Sequence, residues 1–166
     1  MRRSKIVVPL HLVWATYGRL PLILPHWEED LYECIRLEAT KLRLDVLALG
    51  GVEDHLHLAI LLPATRTIAE LMKQIKGASS HFVTQRFLPV EGFFKWQEGY
   101  GAFGFHTSLT PRVVAYIENQ KTHHANHNLW TSLEVTDEEA PANNRSSVRE
   151  DAGEAWLAAR HFNASR

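Results

Sequence analysis

Two histidines separated by one residue form the first group in the sequence that could do chemistry. They are His55 and His57, in the segment Asp54-His55-Leu56-His57-Leu58. Because side chains alternate across a β-strand, both imidazoles would lie on one face, about 7 Å apart along the strand and within reach of one metal ion. The spacing alone is weak support, since a chain of 166 residues with 10 histidines contains about 0.6 such pairs by chance. Two half-exposed histidines beside a hairpin are an equally good interpretation of the pattern.

A tyrosine and a glutamine four residues apart form the second candidate group. Tyr116 and Gln120 lie in a segment with helical spacing of apolar residues, and residues four apart share one helix face. The Tyr-X-X-X-Gln pattern is expected about 0.1 times by chance in this composition, so it is rarer than the histidine pair. The pattern alone still favours, by about three to one, a core aromatic residue whose hydroxyl lies at the edge of the helix.

The order of the predicted elements defines the fold that must position these four residues. Strands are predicted from β-rich runs bounded by glycine or proline, and helices from apolar residues at helical spacing. The predicted strands cover residues 5–17, 44–49, 55–62 and 99–106, and the predicted helices cover 27–41, 67–87 and 110–124. The order β-α-β-β-α-β plus one terminal helix indicates an α+β, ferredoxin-like split βαβ fold. In this fold a four-stranded antiparallel sheet carries two helices on one face.

Local signals add detail to this fold. The segment from Gly50 to Asp54 is predicted to be the hairpin turn ahead of the histidine strand. Thr67 and Glu70 have the spacing of a capping box at the start of the second helix. On the histidine strand, Leu56 and Leu58 should face the two helices, and the histidines should face the opposite, open side of the sheet, which is left for function or for a partner.

Charge is distributed unevenly along the chain. Residues 1–130 contain 14 Lys and Arg against 12 Asp and Glu, a net charge of +2, whereas residues 131–166 contain 4 against 7, a net charge of −3. The stretch 136–147 is polar, has almost nothing to bury and is typical of a linker. We therefore predict a working domain over 1–130 and an acidic, partly disordered C-terminal tail over 131–166. The overall charge of −1 does not exclude a nucleic-acid partner, because the domain itself is weakly basic.

The composition excludes several classes of protein. A single cysteine, Cys34, excludes a disulfide scaffold and a cysteine-only metal cluster. No apolar run approaches the length that spans a bilayer, and no cleavage site follows the basic start of the chain, so we expect a cytoplasmic location. Arg2, Arg3 and Lys5 precede the first predicted strand and could contact the phosphates of a nucleic acid.

Together these patterns resemble a known family, the single-tyrosine HUH transposases of insertion sequences and of REP-associated loci. The resemblance rests on separate segments in the same order, over about residues 5–130. They are His11-Leu12-Val13-Trp14-Ala15-Thr16, Gly51-Val52-Glu53-Asp54-His55-Leu56-His57-Leu58, Trp96-Gln97-Glu98-Gly99-Tyr100-Gly101-Ala102-Phe103 and Tyr116-Ile117-Glu118-Asn119-Gln120. The resemblance implies a DNA transposase, which acts as a single-stranded DNA endonuclease and strand transferase at hairpin-flanked sites.

The resemblance also implies roles for the matching residues. His55 and His57 would bind a divalent metal, Mg²⁺ or Mn²⁺, and Gln120 would be a third ligand. Tyr116 would be the nucleophile and would form a 5′-phosphotyrosine intermediate with single-stranded, hairpin-containing DNA. A homodimer is implied as well, and the acidic extension favours the REP-associated kind.

A second hypothesis stays open at this point. A non-catalytic, ferredoxin-like nucleic-acid-binding protein would keep the basic residues and would not need Tyr116. An inactive relic of the family is a third hypothesis, although such a relic usually lacks a metal ligand or the nucleophile. Because the histidine pair and the tyrosine are both present, the sequence favours the enzyme.

Overall fold

A computed structural model describes residues 4–87 and 92–136 and contains the predicted elements in the predicted order. The strands are β1 (Pro9–Ala15), β2 (Asp45–Val52), β3 (His55–Leu61) and β4 (Gly101–Gly104). The helices are α1 (Glu28–Lys41), α2 (Ile68–Arg86), α3 (Thr110–Glu118) and α4 (Gln120–Ala125). Short 3₁₀ turns cover Tyr17–Arg19, Thr107–Leu109 and Thr131–Leu133. The sheet is antiparallel with the order β2-β3-β1-β4, which confirms the predicted α+β, ferredoxin-like split βαβ fold.

One face of the sheet packs on α1 and α2 and forms the main core. Leu10, Leu12 and Trp14 of β1 lie in this core together with Leu56 and Leu58 of β3. The antiparallel register places Leu12 opposite Leu58 and Trp14 opposite Leu56, so apolar side chains meet across the strands on the helix-covered side. The alternation of leucine and histidine along β3 thus has the predicted orientation.

The two long helices begin where sequence signals place them. α2 starts at the predicted capping box, in which the Thr67 hydroxyl accepts from the Glu70 N–H and the Glu70 carboxylate accepts from the Thr67 N–H. α1 carries three acidic residues in its first turn, where the helix dipole stabilises negative charge. Within the part of the chain that the structure describes, no helix has the length and apolarity needed to cross a bilayer.

The other face of the sheet is covered by α3, which packs on small residues of β2 and β3. Val113 and Ile117 of α3 cluster with Ala48 and Ala59. At Gly50 the approach is closer still, because an added Cβ would lie 2.3 Å from the Ile117 carbonyl oxygen. The prediction of an open face was wrong, because a helix of the same chain closes the face that carries the histidines.

The hairpin turn is shorter than the predicted segment from Gly50 to Asp54. Gly50 pairs with His57 and Val52 pairs with His55, so the ladder continues to the end of β2. Only Glu53 and Asp54 form the turn. The prediction was wrong here because Gly50 serves close packing beneath α3 and not a change of chain direction.

The predicted terminal helix is divided into α3 and α4 at Asn119. This residue has φ −105° and ψ 23°, and its side-chain Nδ2 donates a 2.8 Å hydrogen bond to the Ala115 carbonyl. Asparagine side chains compete with helical backbone bonds in this way. α4 is only six residues long, and Lys121 ties it to α1 because its ammonium lies 2.5 Å from the buried Glu28 carboxylate.

We expect Gly50→Ala to lower the free energy of unfolding by about 1–3 kcal/mol, because the added methyl group would push α3 away from the sheet. Gly77→Ala is the matched control, since Gly77 lies in α2 with nothing within 4 Å of an added Cβ. There the same change should stabilise the protein by about 0.5–1 kcal/mol. Urea denaturation followed by circular dichroism measures both variants, and equal effects would contradict the close approach of α3.

Candidate functional site

The histidine pair is buried between β3 and the helices that cover it. His55 and His57 are both 0% exposed, so the half-exposed alternative is wrong. The physical reason is that α3 and α4 close this face of the sheet, which strand alternation alone does not reveal. Asp54 Oδ1 lies 2.5 Å from His55 Nδ1. Because a carboxylate only accepts hydrogen bonds, His55 Nδ1 carries a hydrogen, and in the neutral form of the ring His55 Nε2 presents a lone pair.

His11 of β1 orients the second histidine of the pair. Its Nε2 lies 2.8 Å from His57 Nδ1, and the two rings are stacked with their centroids 5.1 Å apart. Burial, with a contribution from His57, lowers the pKa of His11 to about 3, so the His11 ring is neutral. In the tautomer in which His57 Nδ1 donates to His11, His57 Nε2 also presents a lone pair. Each histidine is thus held through Nδ1, which leaves Nε2 available as a ligand.

Several buried side-chain atoms around the pair have no hydrogen-bond partner among residues 4–87 and 92–136. They are the Nε2 atoms of His55, His57 and His124 and the Oε1 atom of Gln120. Buried polar atoms without partners are uncommon and costly, and a bound ion is one recognised reason for them. Imidazole nitrogens and an amide oxygen are ligand types that divalent metals accept. The residues present therefore fit a metal ion.

Glu134 places a carboxylate among the same nitrogens. Its Oε2 atom is 3.0 Å from His55 Nε2. The same atom is 3.5 Å from His57 Nε2 and 3.7 Å from His124 Nε2, at angles outside hydrogen-bond geometry. Donor atoms bound to one divalent ion at about 2.0–2.2 Å are about 3.0–3.5 Å apart, so these spacings suit a shared ion. Ligand atoms of His55, His124 and Glu134 all lie within 4.8 Å of one another.

The charge state of Glu134 follows from its neighbours. Burial raises the pKa of the Glu134 carboxyl, but the close approach of His55 and His57 outweighs burial and holds this pKa well below its usual range. Glu134 is therefore a carboxylate over the physiological pH range. A buried negative charge surrounded by imidazole nitrogens is an environment that a cation would stabilise.

Tyr116 of α3 reaches the other oxygen of this carboxylate. Its hydroxyl donates to Glu134 Oε1 and accepts a 3.1 Å hydrogen bond from the Trp130 N–H. The Tyr116 ring stands edge-on to His57, with the centroids 6.0 Å apart. Burial, and then the hydrogen bond to Glu134, raises the pKa of Tyr116 to about 12, so the phenol is protonated at neutral pH. One carboxylate thus joins the predicted nucleophile to the predicted metal ligands within a single chain.

α4 carries two candidate ligands where the sequence predicts one. Gln120 begins α4, and its Nε2 donates a 3.4 Å hydrogen bond to the Tyr116 carbonyl, so only its Oε1 faces no partner in the described residues. His124, one turn later, lies with its ring centroid 4.8 Å from that of His55. Burial, followed by the effect of His55, lowers the pKa of His124, which favours the neutral ring that binds cations.

Comparison with known families agrees with this arrangement. A sequence model of the family described as "Transposase IS200 like" matches residues 5–120, well over half of the chain. The chain belongs to the IS200-like transposases. The predicted family is therefore confirmed, and with it the coarse function of a transposase in DNA transposition. The match spans the histidine strand and extends to Gln120, the last residue of the Tyr-X-X-X-Gln motif.

The chain is also similar to individual transposases and to their solved structures. The ISDra2 transposase TnpA of Deinococcus radiodurans is 25% identical over 114 residues, which are 66% of this chain and 81% of the relative. A crystal structure of a candidate transposase from Deinococcus radiodurans R1 aligns at 25% identity with a TM-score of 0.58, over 72% of this chain and 98% of that one. A REP-associated tyrosine transposase bound to a REP hairpin aligns with a TM-score of 0.55, over 78% of this chain and 74% of that one. At 16% identity the last similarity supports the fold alone.

The basic residues predicted to contact DNA are only partly within the described chain. Lys5 is exposed in the segment before β1. Arg2 and Arg3 lie outside the described residues. A role of these three residues of the transposase in binding DNA stays a prediction.

Two residues that the structure brings to the site, His124 and Glu134, are not among the predicted site residues. His124 has a usable signal, because it lies one turn after Gln120 on the same side of the terminal helix. Glu134 has no local signal, and the sequence counts it among the acids of the predicted tail. Its position depends on how the chain returns to the sheet after α4, which no short motif encodes.

Residues 131–136, which the sequence assigns to the tail, pack on the transposase domain. Leu133 is buried, and Arg19 Nη2 donates a 3.2 Å hydrogen bond to the Glu134 carbonyl. The chain passes so close to β4 that a Cβ added at Gly101 would lie 2.1 Å from the Val135 carbonyl oxygen. Ordered contacts thus continue past the predicted boundary at residue 130. Residues 137–166 lie outside the described residues, and the acidic, partly disordered tail stays a prediction.

We expect Asp54→Asn to weaken the binding of Mn²⁺ by about 10–100-fold, because this carboxylate fixes the tautomer of His55. Glu53→Gln is the matched control, since it removes the same charge from the exposed neighbouring residue and should change the affinity by no more than about twofold. Isothermal titration of metal-free protein with Mn²⁺ measures both variants. An unchanged affinity in Asp54→Asn would exclude an orienting role for Asp54.

Proposed function

We propose that this IS200-like transposase cleaves single-stranded DNA at hairpin-flanked sites, with Tyr116 as the nucleophile and a divalent metal bound beside it. The observation that carries the proposal is the Glu134 carboxylate. It accepts from the Tyr116 hydroxyl through one oxygen and approaches the Nε2 atoms of His55 and His57 through the other. A phosphate that entered this point could meet the nucleophile and the metal donors together.

The proposed metal ligands come from β3, from α4 and from the segment that follows α4. His55 and His57 would bind through Nε2, and the candidates for further positions are Gln120 Oε1, His124 Nε2 and Glu134 Oε2. Carboxylate and amide oxygens suit Mg²⁺, whereas imidazoles admit Mn²⁺ equally well, so we propose Mg²⁺ in the cell and activity with Mn²⁺. When bound, the cation neutralises the phosphate, polarises it as a Lewis acid and favours the ionised form of a nearby phenol.

Tyr116 would carry out the covalent step. Its hydroxyl oxygen attacks the phosphorus of the scissile phosphodiester, a P–O bond to the tyrosine forms, and the bond to the 3′ oxygen breaks. The phenol proton balances the leaving oxygen, which becomes a free 3′-hydroxyl, and the downstream strand stays attached as a 5′-phosphotyrosine. Because the phosphodiester is retained in the new linkage, a 3′-hydroxyl can reverse the step and join two strands.

The surroundings of Tyr116 explain why the proposed reaction needs positive charge. At a pKa of about 12, about one phenol in 10⁵ is ionised at pH 7. Glu134 contributes to the raised pKa of Tyr116, because its negative charge disfavours a phenolate and its Oε1 accepts a hydrogen bond from the phenol. The negative charge of a phosphate would add to the same effect. Tyr116 therefore depends on cationic charge in the donor cluster to become reactive.

We also propose hairpin-forming single-stranded DNA as the partner and a homodimer as the assembly. One structural neighbour, the REP-associated tyrosine transposase, is itself bound to a REP hairpin. Tyr116 and the histidine pair come together within one chain, so a complete site does not require the exchange of α3 between two subunits. A dimer would instead hold two DNA ends, each at its own site.

We expect Tyr116→Phe to abolish a covalent protein–DNA species, because phenylalanine lacks the attacking oxygen, and to leave hairpin binding nearly unchanged. A labelled DNA hairpin with single-stranded flanks is incubated with protein and Mn²⁺ and then run on a denaturing gel. Tyr17→Phe is the matched control, since it removes a phenolic hydroxyl from a ring that packs on Phe93.

Two outcomes would contradict this proposal. A slowly migrating covalent species formed equally by Tyr116→Phe would exclude Tyr116 as the nucleophile. If the wild-type protein bound hairpins but formed no covalent species with any hairpin tested, the non-catalytic nucleic-acid-binding function would be favoured instead.

We expect His57→Ala and Glu134→Gln each to weaken Mn²⁺ binding by at least about tenfold, because the first removes a donor and the second removes a donor's charge. His81→Ala is the control, since His81 is an exposed histidine on α2. Titration calorimetry of metal-free protein, without DNA, measures all three variants. Wild-type affinity in Glu134→Gln would remove Glu134 from the ligand set, and wild-type affinity in His57→Ala would contradict the metal site.

A further inference from the structure

A cavity beside Tyr116 has no part in the proposed metal centre. It has a volume of about 630 Å³ and lies between α3, α4 and residues 128–130. Tyr116 forms part of its wall, whereas the histidine pair and Glu134 do not line it. Small-ligand sites range from about 300 to 1,000 Å³. The cavity therefore has room for one nucleotide next to the proposed nucleophile.

Aromatic rings form one wall of the cavity. Trp130 and Tyr116 meet edge-to-face with their centroids 5.9 Å apart, and the His123 ring centroid lies 4.8 Å from that of Tyr116. The hydrogen bond from the Trp130 N–H to the Tyr116 hydroxyl fixes the backbone of this wall relative to the nucleophile. Aromatic side chains are the usual stacking surface for the bases of single-stranded DNA.

The polar lining of the cavity suits the remainder of a nucleotide. The Arg112 guanidinium lies 4.5 Å from the centre of the Trp130 ring, where it can stack on a base or bind a phosphate. Asn119 and Asn128 add amide groups, which hydrogen-bond to the edges of bases. Of the described residues that line the cavity, none is acidic, so no carboxylate there repels a DNA strand.

We propose that this cavity binds the nucleobase of a nucleotide directly adjacent to the scissile phosphate, and that Arg112, Asn119 and Asn128 determine which base is accepted. The inference rests on the proposed function, because Tyr116 is both the attacking residue and a wall of the cavity. When the scissile phosphate lies at the Tyr116 hydroxyl, the nucleosides bonded to that phosphate must lie next to Tyr116. The cavity has Tyr116 in its wall, Trp130 to stack on the base and the two amides to contact its edge.

Binding of deoxynucleoside 5′-monophosphates tests the cavity without any cleavage. Each of dAMP, dGMP, dCMP and TMP is titrated against the full-length protein, and quenching of tryptophan fluorescence is measured. We expect at least one of them to bind, Arg112→Gln to weaken that binding about fivefold or more, and Asn128→Ala to reduce the difference between the bases. Arg66→Gln is the matched control, because Arg66 is an exposed cation that does not line the cavity.

Cleavage of a mixed substrate tests the same cavity during the reaction. A pool of DNA hairpins with randomised single-stranded flanks is incubated with protein and Mn²⁺, and the DNA in the covalent species is sequenced. We expect the wild-type protein to prefer one base at a position next to the cleaved bond. Asn128→Ala should relax that preference about fivefold while a covalent species still forms.

The two experiments separate this inference from the proposed function. If Arg112→Gln and Asn128→Ala change neither the mononucleotide affinities nor the base preference, the cavity is not a base site, even where the covalent species forms. If these variants weaken mononucleotide binding while the wild-type protein forms no covalent species, the base site is supported and the nuclease proposal fails. Circular dichroism of each variant confirms that the fold is retained.

Discussion

The close contact between α3 and the sheet determines the environment of every candidate catalytic group. Small residues make this contact possible, with Ala48 and Ala59 under the helix and Gly50 against the Ile117 carbonyl. The contact buries the histidine face of β3 and brings Tyr116 down to it. Water is excluded there, so charges and hydrogen bonds act over a low local dielectric and are stronger than at the surface.

The electrostatics of this interior are compatible with the proposed divalent cation. Burial lowers the pKa values of His11, His57 and His124, which keeps these rings neutral. His55 is the exception, because Asp54 and Glu134 outweigh the effect of burial and raise its pKa. Two carboxylates therefore approach His55, and one of them, that of Asp54, also lies 3.7 Å from the Arg19 guanidinium. The orientation of His55 by Asp54, and of His57 by His11, resembles the way outer groups orient the ligands of metalloproteins.

Periodicity in the sequence was enough to predict the fold and to place both histidines of β3 on one face of the sheet. Strand alternation placed the leucines and histidines of β3 on opposite faces, and the capping box located the start of α2, because both signals depend on neighbouring residues only. Two of the features that the sequence did not predict, the packing of Gly50 and the position of Glu134, depend on contacts between residues distant in the sequence, whereas the break at Asn119 is local. Gly50 is of a residue type that is common in turns, but here it allows a helix to pack closely on the sheet. Asn119 interrupts a helix through a hydrogen bond of its own side chain. Glu134 reaches the site only because the chain returns to β4 after α4.

The helix break at Asn119 has a thermodynamic consequence for the site. α3 and α4 both contact the sheet, but α4 is a six-residue helix, too short to be stable alone, and the ion pair of Lys121 with Glu28 joins it to α1. α4 should therefore open locally at a lower free energy than the rest of the domain. Gln120 and His124 sit on this segment, so the free energy of ordering α4 is subtracted from the affinity of any ion that they bind. The affinity of this centre for a metal ion would then depend on the local stability of α4 as well as on the ligand atoms themselves.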